Sequence, residues 1–514
     1  MALITAYWSL DGILVLMTLI ITTYFYMTRK FNYWKKRNVF EIPPTPFLGN
    51  FSDCLLLKKS AGYLLKDIYD KAKGLPYIGF YVLDKPFLLI RDRKVIKNIL
   101  VKDFNYFVDR YGSPDPNDRL GYANLFFIKN PAWKMLRTKL TPVFTSGKLK
   151  QMFELMLECT KNLDTYLESL KAEGTRKEID VKDLFAKFST DIIGCTAYGL
   201  NVNSLINPNA EFRKYGKMIF DFGYIRGFEV LSMFFFPNIV RLAGFKTFAK
   251  ESSIFLRKAF WETMTERMQS GIKRNDLIDI LIELKKTHSH HKFEGFKFDG
   301  DDLVAQAAIF FTGGYETSAT TIAFTLYEMA VQPEIQDKLR KEILDALNKN
   351  DNKITYDMVL TLPYLDMVVS ETLRMYPTLT FLDRVTTETY KIPNSDLVLE
   401  KGTPIYISML GTHFDPEYFP NPHKYDPERF NEENKRNRPS CVYFPFGEGP
   451  HQCIGIRLGL LQTKLGIINV LSKYEVTPSE RTLIPMVINP KATTTSPLNG
   501  CLCLNIQRIN TNAS

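Results

Sequence analysis

The chain has 514 residues, with 66 Lys and Arg against 56 Asp and Glu, and a formal net charge of +10 at pH 7. Its 45% hydrophobic and 24% charged residues exclude a disordered or fibrous protein. Seven Cys at irregular spacings exclude a disulfide scaffold, and six His leave little for a multi-histidine metal centre.

The first predicted element is a membrane anchor. Residues 12–27 read GILVLMTLIITTYFYM and carry no charge. The stretch from about Ser9 to Met27 covers close to the ~30 Å hydrocarbon core of a bilayer. A cleaved signal peptide is the alternative, but the chain lacks a positive n-region and a small-residue cleavage site. We therefore expect residues 1–28 to form an uncleaved anchor.

Basic residues follow the anchor and indicate its orientation. They are Arg29, Lys30, Lys35, Lys36 and Arg37. Positive charge after a span holds that side in the cytosol, so the chain should run from lumen to cytosol. Pro43, Pro44 and Pro46 then stiffen the backbone. We interpret residues 29–50 as a basic, proline-rich linker to a body formed by residues 51–514, although an ordinary loop fits equally well.

The body is predicted to be one large, mainly α domain with small β-sheets towards both ends. Tyr77–Val82 and Pro86–Ile90 are typical of a short hairpin. Helical periodicity follows in Leu149–Leu170, Val181–Tyr198, Ser252–Met268, Leu303–Ala330 and Pro333–Leu347. Strand patterns return at Arg384–Thr389, Leu397–Leu399 and around Cys501–Ile509, where Asn499-Gly500 is a favourable hairpin turn.

The apolar segment Phe234–Phe245 fits two interpretations. It could make a second membrane contact, or it could form a buried corner between helices. Periodicity does not separate the two.

Two adjacent glycines interrupt the longest helical pattern. Gly313 and Gly314 each cost about 1 kcal/mol relative to Ala in a helix. A helix that keeps them needs a groove or a kink, with close helix packing as the alternative.

The most informative segment surrounds Cys453. It reads FPFGEGPHQCIG from Phe444 to Gly455 and opens the apolar run Ile454–Leu471, which should form a largely buried helix. A Cys at a helix N-terminus is favoured as thiolate. The surrounding glycines allow a flat cofactor to approach the backbone, so a thiolate ligand to haem iron is the chemistry this segment suits.

This segment resembles the haem-binding signature of the cytochrome P-450 superfamily, Phe-x-x-Gly-x-Arg-x-Cys-x-Gly. Phe446, Gly449, Cys453 and Gly455 are in register. One position departs, because the family's Arg, which meets a haem propionate, is His451 here. The resemblance covers roughly residues 40–510. It implies haem b with Cys453 as the iron ligand and the helical triangular-prism fold of that family.

Other motifs of the family occur in the expected order. Glu371-Thr-Leu-Arg374 and the later Arg429 resemble the ionic triad that braces the proximal side of the haem. Trp133 and Arg137, spaced i, i+4, resemble the Trp-x-x-x-Arg helix that contacts a propionate. Arg384 matches a further propionate-binding Arg.

The oxygen-handling motif of the family matches residues 313–318. Its helix crosses the distal haem face at Gly313 and Gly314. Thr317 would hold water at the dioxygen site, and Glu316 would relay protons from solvent. The family's recognition segments correspond to Phe104–Phe127, Leu303–Thr317, Thr378–Leu382 and Thr493–Leu498, whose aromatic content implies a lipophilic substrate.

The resemblance is greatest to microsomal animal enzymes, especially the insect branch that metabolises xenobiotics. It implies a monooxygenase on the cytosolic face of the endoplasmic reticulum membrane, with electrons from NADPH through cytochrome P-450 reductase and with cytochrome b5 as a second candidate donor. A basic docking face could comprise Lys134, Arg137, Lys139, Lys435, Arg436 and Arg438, or these could be ordinary solvated charges. No long Lys/Arg run and no helix-turn-helix or zinc-finger spacing occurs, so nucleic acid is not an expected partner.

Three alternatives stay open. One is a hormone or fatty-acid hydroxylase of the same fold. A second is a haem-thiolate isomerase or dehydratase, a class that often lacks the helix threonine found here as Thr317. The third is a non-catalytic haem protein that binds a hydrophobic ligand.

Overall fold

A computed structural model of the chain describes residues 5, 7–207, 209–274, 276–288 and 293–509. Residues 1–4 and 6 of the predicted anchor, and residues 510–514 of the predicted body, lie outside the described residues.

The described residues form a mainly helical body. The helices are α1 Trp8–Thr28, α2 Ser52–Leu55, α3 Ala61–Lys71, α4 Arg93–Lys97, α5 Arg119–Tyr122, α6 Ala132–Leu140, α7 Ser146–Ser169, α8 Val181–Ile193, α9 Glu211–Ile219, α10 Tyr224–Phe235, α11 Pro237–Ala243, α12 Lys250–Ser270, α13 Leu277–His288, α14 Gly300–Val331, α15 Pro333–Lys349, α16 Tyr356–Leu360, α17 Pro363–Met375, α18 Met409–His413, α19 Glu432–Asn437 and α20 Ile456–Leu471. Single turns of 3-10 or π helix join several of them.

The strands form three small sheets among the described residues. They are β1 Tyr77–Val82, β2 Lys85–Ile90, β3 Lys177–Asp180, β4 Phe381–Val385, β5 Tyr390–Lys391, β6 Val398–Leu399, β7 Pro404–Ser408, β8 Tyr474–Pro478 and β9 Cys503–Arg508. A mixed sheet has the order β1-β2-β7-β4, an antiparallel sheet the order β3-β9-β8, and β5 pairs with β6. The predicted hairpin is confirmed, with Tyr77 opposite Ile90 and Val82 opposite Lys85.

The predicted helices are confirmed, with small differences at their ends. The pattern Val181–Tyr198 is α8 followed by one π turn, Gly194–Tyr198. The hairpin expected at Asn499-Gly500 is wrong. Both residues have the positive φ that such a turn needs, but the paired strands β8 and β9 are joined by all of residues 479–502.

Helix α14 is the centre of the fold. It lies within the largest hydrophobic core cluster and packs against α8, α17 and α20. Its side chains are buried on nearly every face, which explains why its apolar pattern has no polar stripe.

The anchor helix and the linker differ in their contacts. Helix α1 leaves its large apolar side chains exposed, and its 21 residues span about 31 Å, so its length and composition allow it to cross a membrane. The linker lies along the edge strand β1. Trp34 is fully buried, the N–H of Ile42 donates to the carbonyl of Gly79, and Asn50 bonds Tyr81 through both backbone and side chain.

Only the beginning of the segment 234–245 is an internal corner. Phe234, Phe235 and Phe236 are buried against a cluster that includes Phe51 and Phe381. Leu242 at its far end is 90% exposed. The buried interpretation therefore accounts for the three phenylalanines.

Candidate active site

A cavity of about 420 Å³ lies between α14 and the segment that carries Cys453. It brings together ten of the predicted site residues: Trp133, Arg137, Gly313, Gly314, Thr317, Arg384, Phe446, His451, Cys453 and Gly455. Five others lie outside its lining: Glu316, Glu371, Arg374, Arg429 and Gly449.

Cys453 sits directly before α20, as the sequence predicts. Gly455 is the N-cap of that helix, and the N–H of Cys453 donates to the carbonyl of Phe446 at 2.8 Å. Burial raises the pKa of the Cys453 thiol, against the opposing effects of the Gly455 backbone and of Arg137. The opposing effects of Gly455 and Arg137 favour the thiolate, the form in which a cysteine ligates a metal.

The two glycines before Cys453 have different tasks. Gly447 has a φ of +74° and lines the cavity. Gly449 has a φ of +70°, and a Cβ there would overlap the carbonyl oxygen of Leu100. Gly449 thus permits close packing of the loop on the turn at Leu100, away from the cavity.

The adjacent glycines of α14 also separate into two tasks. A Cβ on Gly314 would overlap Cδ1 of Ile193 in α8, so this glycine permits close helix packing. A Cβ on Gly313 would meet nothing within 4 Å, so this glycine leaves a groove on the cavity side. The hydroxyl of Thr317 donates to the carbonyl of Gly313 at 2.6 Å, which leaves its oxygen able to accept a hydrogen bond from the cavity.

Glu316 faces the other way. Its Oε1 accepts from Nζ of Lys182 at 2.8 Å and from the hydroxyl of Thr320 at 3.3 Å. The carboxylate and the ammonium are both buried. Lys182 was not found from the sequence, because nothing in a single chain relates a lysine of α8 to a glutamate of α14.

One edge of the cavity is cationic. Arg110, Arg137 and Arg384 lie there, close enough to His451 to lower its pKa, and no Asp or Glu lines the cavity among the described residues. Arg384 is 2% exposed, its Nη1 donates to the Asp383 carbonyl at 2.7 Å, and its Nε has no hydrogen-bond partner. Burial, and then nearby Arg110, lower the pKa of Arg384 to about 9.

This arrangement fits haem. A buried guanidinium with an unused donor needs an anion, and haem carries two carboxylates. A thiol on one wall and apolar side chains elsewhere suit its iron and its ring. Arg110 belongs to this cationic edge but has no motif around it, so the sequence did not reveal it.

His451 lines the cavity, and its ring N–H is hydrogen-bonded to a backbone carbonyl. Nε2 donates to the carbonyl of Val108 at 2.7 Å, and the ring stacks on Trp133 with centroids 3.9 Å apart. Burial, and then Arg384, hold the pKa of His451 well below its usual value. A neutral imidazole has one N–H, so with Nε2 as the donor the other ring nitrogen, Nδ1, is an acceptor.

The predicted ionic triad is assembled behind this wall. Arg374 makes two hydrogen bonds to the Glu371 carboxylate, at 2.7 and 2.8 Å, with both side chains fully buried. Nε of Arg429 lies 3.4 Å from the same carboxylate. His413 links the triad to the cysteine segment, because Nδ1 bonds the carbonyl of Arg374 and Nε2 accepts from the N–H of Phe444.

The distal walls match the predicted segments in part. From those segments the cavity takes Leu125, Phe126, Phe127, Ile309, Phe310, Thr378, Leu379, Leu382, Thr493 and Thr494. It also takes side chains from α9, α10 and the loop before α12, which the sequence did not reveal: Ile219, Phe220, Phe222, Arg226, Val230, Met233, Phe234, Thr247 and Phe248. The phenylalanines of residues 220–236 were the available signal, since they are too dense for a surface segment.

Comparison with known proteins agrees with this geometry. A family model described as Cytochrome P450 matches residues 42–504. Cytochrome P450 6k1 of Blattella germanica is 45% identical over 505 residues, which cover 95% of this chain and 96% of that protein. Probable cytochrome P450 6g2 of Drosophila melanogaster is 42% identical, covering 92% and 94% of the two chains. Cytochrome P450 6j1 of Blattella germanica is 43% identical, covering 97% and 98%.

Proposed function

The chain belongs to the cytochrome P450 family, and we propose that it is a microsomal monooxygenase that uses electrons from NADPH to oxidise lipophilic foreign compounds. Members of the family are haem-thiolate oxidoreductases with haem b as cofactor. When bound, the haem supplies the reductive activation of dioxygen. The observation that carries the proposal is that Cys453 and Thr317 line one mainly apolar cavity.

We assign the following roles to the site residues. Cys453 would ligate the iron, and Trp133, Arg137 and Arg384 would hold the carboxylates, with Arg110 as a fourth member. Phe446, Gly455 and Gly313 would allow close approach of the ring. The triad of Glu371, Arg374 and Arg429 would brace the cysteine segment from behind through His413.

Proton delivery would involve two side chains in sequence. The Thr317 oxygen can accept a hydrogen bond from a cavity water, because its own proton is donated to Gly313. Glu316 is held by Lys182, so its carboxylate must exchange that partner before it can pass a proton to the cavity side. The buried pair thereby limits the access of protons to the oxygen site.

The apolar helix α1 and the basic linker that precede the body support a membrane-bound enzyme. We assign residues 1–28 to an anchor in the endoplasmic reticulum membrane, residues 29–50 to a linker, and residues 51–514 to a cytosolic catalytic domain. Electrons would come from cytochrome P-450 reductase, with cytochrome b5 as a second donor. Four of the six candidate docking cations suit this task, namely Lys134, Lys139, Lys435 and Arg436, since Arg137 lines the cavity and Arg438 lies 4.1 Å from the ring of Phe430.

The test is the carbon monoxide difference spectrum of the reduced protein. We expect a Soret band at the thiolate-ligated position for the wild type and for Cys441→Ala, a buried cysteine outside the cavity lining, and no such band for Cys453→Ala. Product formation should then require both NADPH and reductase. Turnover of a peroxide substrate without NADPH would instead indicate an isomerase or dehydratase.

A further inference from the structure

Two thiols meet at the start of β9. The Sγ atoms of Cys501 and Cys503 are 3.3 Å apart, so a covalent bond would need them roughly 1.2 Å closer. Residues i and i+2 of an extended chain project to the same side, which makes this contact a property of the backbone. Cys501 is half-buried, and Cys503 is buried.

The groups around the pair act in opposite directions on its ionisation. Nη2 of Arg481 lies 3.9 Å from Sγ of Cys501, and a guanidinium stabilises a nearby thiolate. Burial, and then the hydrogen bond with Cys503, raise the pKa of Cys501 to about 12. Asp180 acts in the same direction as burial, whereas Arg481 favours the thiolate form that reacts with peroxide.

The residue between the cysteines is bonded to the start of α8. The N–H of Leu502 donates to Oδ1 of Asp180 at 3.1 Å, and its carbonyl accepts from the N–H of Val181 at 2.9 Å. The same Oδ1 caps the helix, because it accepts from the N–H groups of Lys182 and Asp183. Movement of residues 501–503 would therefore disturb the hydrogen bonds at the first turn of α8.

We propose that Cys501 and Cys503 are a redox modification site, at which hydrogen peroxide closes an intramolecular disulfide that loosens the N-terminus of α8. A thiolate of the pair attacks one peroxide oxygen, the O–O bond breaks, and hydroxide leaves and takes up a proton. The second thiol then attacks the resulting sulfenic sulfur, the S–S bond forms, and water leaves. Two thiols are oxidised and one peroxide is reduced to two waters, and cytosolic thiols can reverse the change.

The loosened turn carries Lys182, the partner of Glu316. On the proposed function, and resting on it, oxidation would therefore free Glu316 and alter proton delivery beside Thr317. The disulfide itself does not depend on haem, so its chemistry can be tested separately from that function.

The experiment uses the full-length, haem-bound protein, treated with hydrogen peroxide, quenched with catalase and blocked with N-ethylmaleimide. We expect the peptide that contains both cysteines to lose two hydrogens and to take up maleimide only after reduction with dithiothreitol. Amide hydrogen exchange over residues 181–185 should become about fivefold faster on oxidation, the effect of losing one helix cap. Cys503→Ser should show neither change, and Cys54→Ser, a buried cysteine elsewhere, should behave as the wild type.

Two results would overturn the proposal. One is oxidation of Cys501 to a sulfenic or sulfinic acid while Cys503 still reacts with maleimide after unfolding. The other is a complete disulfide with unchanged exchange over residues 181–185. A protein that forms the disulfide but gives no thiolate band with carbon monoxide would retain this site and refute the proposed function.

Discussion

The imidazole of His413 accepts a hydrogen bond at Nε2 from the backbone N–H of Phe444, at 3.2 Å. Phe444 starts the segment that ends at Cys453, and the other ring nitrogen of His413 bonds the carbonyl of Arg374. One neutral ring thus joins the buried ion pair to the cysteine segment. Burial, and then Arg374, lower the pKa of His413 to about 3, so the ring stays neutral at physiological pH.

We expect His413→Phe to destabilise the protein by on the order of 2–4 kcal/mol, because it leaves two buried backbone groups without partners. Thermal unfolding and the fraction of protein with a thiolate carbon monoxide band measure the effect. His423→Phe, at an exposed histidine, should change neither. Equal melting temperatures for the two variants would contradict the bridging role.

The adjacent glycines of α14 provide a matched pair. Gly314→Ala should lower the free energy of unfolding by about 1–3 kcal/mol, because the added methyl group overlaps Ile193. Gly313→Ala should leave stability unchanged or raise it by about 1 kcal/mol, since the methyl group points into open space. Melting curves separate the two, and a larger loss for Gly313→Ala would show that the assignments are reversed.

Arg384 is expected to stabilise the haem complex at the expense of the haem-free fold. Arg384→Met should release haem to excess apomyoglobin about tenfold faster, because a charged hydrogen bond to a carboxylate is lost. The haem-free variant should melt at a higher temperature than the haem-free wild type, since an unpaired buried charge has been removed. Arg457→Met, at an exposed arginine of α20, serves as the control, and haem release as slow as in that control would exclude Arg384 as a carboxylate ligand.

The Lys182–Glu316 pair predicts non-additive stability. Lys182→Met alone should cost about 3–5 kcal/mol, because it leaves the Glu316 carboxylate buried without its cation. The double variant Lys182→Met/Glu316→Leu should recover most of that loss. Denaturant unfolding of the two single variants and the double variant measures the coupling, and additive losses would show that the pair is not coupled.

Glu328 predicts a pH-dependent stability. Burial raises the pKa of this carboxyl to about 7, against the opposing hydrogen bond from the Tyr376 hydroxyl at 2.6 Å. Since this value lies above the unfolded one, the contribution to stability is complete below about pH 4.5 and is lost as pH rises through about 7. Glu328→Gln should therefore melt higher than the wild type at about pH 8, and the difference should shrink as the pH falls and nearly vanish at about pH 4.

The control for this prediction is Glu334→Gln, at an exposed glutamate of α15. It should keep the pH dependence of the wild type. A variant at Glu328 that shows the same decline from pH 5.5 to 8 as the control would locate the titrating group elsewhere.

The sequence predicted those parts of the site that are contiguous in the chain. The segment around Cys453, the glycine pair of α14 and the i, i+3 pair of Glu371 and Arg374 each carry their spacing within a few residues. Helix and strand periods also located α14 and the β1–β2 hairpin. Such features are recognisable because local geometry requires them.

The parts that were missed are contacts between distant residues. Lys182 reaches Glu316 across 134 positions, and Arg110 approaches Asp383 across 273. The donor of His451 is taken by Val108, which no spacing rule anticipates. The hairpin predicted at Asn499 and Gly500 was wrong for the same reason. Strand β9 pairs with β3 and β8, and the residues of the turn do not determine these pairings.

The burial of Trp34 against Gly79 has a practical consequence for making a water-soluble form of the enzyme. A Cβ on Gly79 would overlap the indole, so the lack of a side chain at Gly79 makes room for the ring of Trp34. A polypeptide that begins after residue 50 would lack Trp34 and the hydrogen bonds between the linker and β1. For expression without detergent, the polypeptide should therefore start at Arg29, which removes helix α1 and keeps Trp34.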